Sequence, residues 1–250
     1  MIRNIRISFL TLTLILATGI LLAQANPKSL DELINKQNPG WNLVQQWIKE
    51  GKNSIQVLER DSLRAANALY QTQVTTRSPM GAIIYETGGI FIDSGWIRIL
   101  GSGSKQFDRS IMDWNKGKSY NNAGEQPTFL LIADDVLGGF FAINAGGLDK
   151  TNIGKVYYFS PDNLSWEKTD MSYSDFLIFC FSGDLNKFYE NYRWENWKKD
   201  ISLLDGTKGM SIYPFLWSKE AQADINKTSK KAVPIQELWD LYFSQAKKQH

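Results

Sequence analysis

The sequence has a single histidine, His250, and it is the last of 250 residues. Histidine is the side chain best suited to moving protons near neutral pH. Its absence from the interior excludes a Ser-His-Asp or Cys-His device, unless a chain terminus supplies the base. Cysteine is as scarce, with Cys180 alone. There is no CxxC, no HExxH and no EF-hand spacing, so a metal site has no recognisable ligand set and no cofactor is expected. One cysteine also excludes an internal disulfide, and stability must come from the core. Cys180 lies in the apolar stretch DFLIFCFSG and is expected to be buried as a small hydrophobe.

An excess of either charge is missing too. The chain carries 28 Lys and Arg against 26 Asp and Glu. Removing Arg3 and Arg6 makes the two counts equal, which argues against an electrostatic nucleic-acid partner. Long apolar runs are absent after residue 25. The one such run opens the chain, in MIRNIRISFLTLTLILATGILLAQANP. Its apolar part, Ile7 to Leu22, is about sixteen residues, short for a membrane span. Ala23-Gln24-Ala25 fits a small-x-small cleavage site, so residues 1–25 read as a signal peptide cut before Asn26. The expected product is exported, periplasmic or secreted, with no membrane span in its mature form. No cysteine lies near the cut to carry a lipid anchor.

What remains is enough chain for one good core. Ser29 and Glu32 suit a short capped helix. Trp41, Val44, Trp47 and Ile48 recur at helical spacing up to Gly51. SIQVLE (54–59) reads as a strand and DSLRAANALYQTQV as an amphipathic helix. A short helix is expected over 80–87, then strands over 89–93 and 96–100 around a turn at Asp93-Ser94-Gly95. Residues 101–127 read as a long polar loop with one helical turn near Ser110–Trp114. TFLLIADD, GGFFAINA, KVYYFSP and DNLSWEKT follow as an antiparallel meander. SYSDFLIFCFSGDLNKFYENYRWENWKKDISLL reads as helical, broken at Ser182-Gly183-Asp184. GMSIYPFLWS reads as a last strand, DINKTSKKAVP as a polar linker, and IQELWDLYFSQAKK as a C-terminal amphipathic helix. The expected fold class is α+β: a single mixed or mainly antiparallel sheet flanked by helices. Residues 26–220 form the domain and 221–250 the linker and final helix.

Asp134 and Asp135 are the first candidates for chemistry. Neighbouring residues of a strand point to opposite faces, so the two cannot act as a facing carboxylate pair unless the backbone turns between them. The plainer expectation is that both solvate a turn and cap backbone N–H groups near Gly138. A carboxylate enzyme would need one of them to face Glu86, Asp93 or Asp108 in a cleft. GSGSKQFDR (101–109) only superficially resembles a phosphate loop and reads as an exposed, flexible turn. Nine tryptophans are a heavy load. Trp41, Trp47 and Trp239 are expected in the core, with Trp96 and Trp166 facing inward from strands. Trp194 and Trp197 share a helical face in this reading; they are core, or an exposed aromatic platform for a protein or glycan.

The blocks VTTRSPMGAIIYETGGIFIDSGWIRILGSG, LLIADDVLGGFFAINAGG, GKVYYFSPDNLSWE, YSDFLIFCFSGDLNKFY and YPFLW resemble, in this order, an uncharacterised bacterial family, the domain of unknown function numbered 2625. The resemblance runs from about Leu30 to Trp217. More distantly the same blocks resemble the SUKH superfamily, whose members include toxin-binding immunity proteins and general interaction modules. That resemblance implies a SUKH-like α+β fold and carries over no catalytic residue, since the closer family has no established activity. Together with the expected signal peptide, it points to a non-catalytic exported module that binds a protein partner, an immunity-like role being one form of this. The expected contact residues are Asp134, Asp135, Gly138, Gly139, Trp96, Arg98 and Trp166, beside the 101–127 loop. The competing reading is a carboxylate-dependent hydrolase, or a binding protein, acting on envelope glycans.

Overall fold

The computed structural model describes residues 27–122 and 124–249. The expected signal peptide, residues 1–25, lies outside them. The chain enters through two helices, α1 (Leu30–Leu33) and α2 (Gly40–Glu50). The Glu32 carboxylate accepts the Ser29 backbone N–H at 2.8 Å, the reciprocal cap expected from the sequence.

A seven-stranded sheet forms the centre: β1 (Ile55–Leu58), β2 (Gly89–Ile92), β3 (Ile97–Leu100), β4 (Phe129–Asp135), β5 (Phe140–Asn144), β6 (Val156–Ser160) and β7 (Ser165–Lys168). The spatial order equals the chain order and every neighbouring pair is antiparallel. Every residue of β2, β3 and β6 is buried, which explains why their sequences are almost continuously apolar rather than alternating. Between β1 and β2 lie α3 (Ser62–Thr72) and α4 (Pro79–Glu86), and before β4 lies α5 (Ile111–Asn115). Asp61 caps α3 by accepting from the Leu63 and Arg64 N–H groups, both at 3.0 Å.

The helical stretch expected after β7 is more broken than its composition suggests. It contains α6 (Tyr173–Ser182), α7 (Leu185–Phe188) and α8 (Trp197–Ile201), with turns over 189–196. Tyr189, Trp194 and Trp197 all turn inward, so apolarity here follows the core and not a helical period.

The expected linker is structured. A hairpin of β8 (Lys208–Tyr213) and β9 (Ser229–Pro234) forms a second, two-stranded sheet, with α9 (Lys219–Ala223) and a 3₁₀ turn between them. GMSIYPFLWS is therefore not the last strand. β9 reads as a linker because it is an outer strand that buries none of its residues, and so lacks an apolar pattern. The last helix, α10 (Ile235–Gln249), buries Ile235, Leu238, Trp239 and Tyr242, the i, i+3, i+4, i+7 stripe of an amphipathic helix. It packs on the turn after β4. Gly138 sits at φ +81, and a Cβ there would lie 2.7 Å from the Tyr242 ring. The Tyr242 hydroxyl donates to the Leu137 carbonyl at 3.0 Å. The described part of 221–250 thus joins the same core as the rest, through Ile225, Ile235, Leu238, Trp239 and Tyr242.

Candidate functional site

Six of the seven expected contact residues lie inside the molecule, and Trp166 is the exception. Asp134 and Asp135 are fully buried, Arg98 is 2% exposed and Trp96 is fully buried. Gly138 and Gly139 are buried beneath α10 and Tyr158 respectively, and Trp166 is half-buried against Phe129, Phe159 and Phe243. A solvated turn is therefore corrected to an internal polar node, and these residues do not form an outer binding patch. The stretch 101–109 is corrected likewise: Phe107 and Arg109 are buried, not exposed in a flexible turn.

The alternation expected of β4 does hold. Asp134 lies opposite Arg98 of β3 in register. Its carboxylate pairs with Arg98 Nη2 at 2.5 Å and with Arg109 Nη1 at 2.6 Å. The arginines are themselves held by carbonyls: Arg98 donates to Asp135 at 2.9 Å and to Lys208, and Arg109 donates to Gly206 at 2.9 Å. The Arg109 guanidinium also stacks over Trp114 at 4.3 Å. Desolvation lowers the Arg109 pKa, and Asp134 opposes the shift.

Asp135 serves the other side. Its Oδ1 accepts the Leu137 and Gly139 N–H groups, each at 2.9 Å, which fixes the turn. Its Oδ2 accepts the Tyr158 hydroxyl at 2.7 Å and the Tyr189 hydroxyl at 3.2 Å. Burial pushes this carboxyl above its ordinary value, while the Tyr158 hydroxyl, the two N–H groups and Arg98 pull it back. Both tyrosines are pushed well up, first by burial and then by the Asp135 charge. Two acids and two arginines share the node, so its formal charges balance.

The other acids considered for a cleft have their own partners. Glu86 pairs with Arg60 at 3.7 Å, Asp93 with Arg193 at 2.6 Å, and Asp108 with Arg64. None of them reaches Asp134 or Asp135 as an ion-pair or hydrogen-bond neighbour among the described residues. Trp194 and Trp197 are buried and pack around Trp96, at 5.8 and 4.9 Å between ring centroids. The Trp194 indole donates to Asp200 at 2.6 Å. Core packing is thus their role, and they offer no exposed platform. Cys180 is fully buried, and burial raises its thiol well above the ordinary value.

Arg109, Tyr158 and Tyr189 complete the node and were not singled out in the sequence. They join Asp134 and Asp135 from 25, 23 and 54 residues away. The lone hint was the arginine ending GSGSKQFDR, a charge in a stretch otherwise read as solvent-facing.

Residues 30–238 match the family described as protein of unknown function DUF2625. The chain belongs to the DUF2625 family. It is 40% identical over 221 residues to an uncharacterised protein of Haemophilus influenzae, covering 88% of this chain and 96% of that one. It is 39% identical over 216 residues to the uncharacterised protein YbfG of Escherichia coli, covering 86% and 96%. The DUF2625 match continues past Trp217, where the sequence blocks quoted above stop, through β9 and into α10. Among the described residues no helix is long and apolar enough to cross a membrane.

Proposed function

We propose that this DUF2625 protein is an exported, non-catalytic module that binds another protein. The observation that carries the reading is the complete burial of the two central carboxylates and their pairing within the core. Asp134 is held by two guanidinium groups, and Asp135 by two backbone N–H groups and two tyrosine hydroxyls. A general acid or base must reach its proton at hydrogen-bond distance, and neither carboxylate has an open side from which to do so. Their work is to align strands and a turn. Function then belongs to the outer surface. Export rests on the N-terminal pattern of two arginines, an apolar run and Ala23-Gln24-Ala25. An immunity-type role is the finer version, and it rests on the SUKH resemblance.

The test is crosslinking of the tagged protein in the native envelope, followed by reconstitution with each purified candidate. A stoichiometric complex that survives physiological salt supports the reading. Turnover of an envelope polymer by the purified protein, lost on Asp135→Asn in a variant that still folds, would overturn it.

A further inference from the structure

A seven-stranded meander leaves two open edges, β1 and β7. The β7 edge carries Glu167 and Lys168, and Lys168 pairs with Asp170 at 2.8 Å. The outer strand of the hairpin, β9, carries Lys230, Lys231 and Pro234. Charge and proline are the usual devices that stop another strand from pairing with an edge. β1 has neither: its sequence is Ile55-Gln56-Val57-Leu58.

The ladder shows which backbone groups of β1 face outward. The Asp93 N–H donates to the Ser54 carbonyl at 2.9 Å. Hydrogen-bonded and non-bonded pairs alternate along an antiparallel ladder. Gln56, opposite Phe91, and Leu58, opposite Gly89, therefore turn their N–H and C=O groups to β2. Ile55 and Val57 turn theirs away from the sheet. No strand pairs with that side among the described residues. Val57 is 39% exposed, and Leu63, in the first turn of α3, is 85% exposed, the most exposed large hydrophobic residue of the described chain.

We propose that the outer edge of β1 binds an extended segment of another protein, which adds as an eighth strand. This rests on the protein-binding reading above and names the surface and the form of the partner. A row of alternating donors and acceptors at strand spacing is matched only by another extended backbone. The side chain opposite Val57 should be apolar and preferably β-branched, and proline is excluded where the partner donates to Ile55 or Val57. The edge itself is uncharged, so charge does not select the partner.

The test begins with a phage-displayed library of random decapeptides selected on the full mature chain. Proline-poor peptides rich in β-branched residues are expected, and their binding should slow amide exchange at Ile55 and Val57. Val57→Pro removes one outward donor at a position where an edge strand accepts proline, and should weaken binding about tenfold or more. Val57→Lys keeps the backbone and places a charge on the edge; it should weaken binding in the same sense if the proline variant does not fold. The proposal fails if no peptide is recovered, if the binders are indifferent to both variants, or if Ile55 and Val57 become protected by self-association. It also fails, leaving the protein-binding reading intact, if a reconstituted native partner binds Val57→Lys as well as wild type.

Discussion

Arg98 and Asp134 face each other across β3 and β4, and their side chains close at 2.5 Å with no solvent exposure of the carboxylate. A buried pair of this kind is costly to break from one side, because the surviving charge is left without a counterion. Asp134→Asn is expected to destabilise the fold by about 3–5 kcal/mol, read as a lower urea midpoint at unchanged m-value. Replacing Asp134, Arg98 and Arg109 together with apolar residues of similar volume should cost less than the single change.

Tyr158 and Tyr189 hold the same oxygen of Asp135, at 2.7 and 3.2 Å. Tyr158→Phe should cost about 1–3 kcal/mol, and Tyr189→Phe less, since its bond is longer. The double variant should cost more than the sum, because Oδ2 then has no donor. Urea titration of the four proteins checks this.

Lys118 lies half-buried, its ammonium 3.9 Å from the Trp114 ring. Burial, and then the nearby Arg109 charge, bring its pKa down from 10.5 to about 8, against the pull of Asp240 and Asp134. The unfolded amine holds its proton more tightly, so between these two values folding releases a proton and stability rises with pH. Lys118→Met should flatten that rise between pH 8 and 10.5, measured by denaturation at several pH values. Solvent screening of the half-exposed amine keeps the effect modest.

Cys180 should resist thiol reagents in the native protein and react at the rate of unfolding or local opening, since its sulfur is fully buried and its thiol form favoured. Rapid labelling of the native chain by a water-soluble disulfide reagent would contradict the packing of α6.

Ending the chain after residue 220 should abolish cooperative unfolding. It removes β9 and α10, and with them Ile235, Leu238 and Tyr242 from the core and the cover over Gly138. Calorimetry of the shortened chain gives the answer.

The meander was legible because its strands are apolar runs bounded by glycine and proline. TFLLIADD, GGFFAINA and KVYYFSP contain β4, β5 and β6 within a residue or two. Opposite-face placement of Asp134 and Asp135 was legible from strand geometry alone. Their burial was not, because it depends on Arg109, Tyr158 and Tyr189 arriving from distant segments, and local pattern carries no record of such meetings. An acidic pair beside a glycine turn looks solvent-facing until its counterions are known. β9 was missed for the opposite reason: its partner, β8, supplies every buried residue of the two strands, so β9 itself carries almost no signal.

Adjacent acids with unlike companions fix the alignment of β4. Sliding that strand by one residue would set Val136 against the two tyrosines in one direction, and Ala133 against the two guanidinium groups in the other. Either slip strips one face of its carboxylate and leaves buried polar groups there without a partner, which gives the chain a single way to zip its centre together.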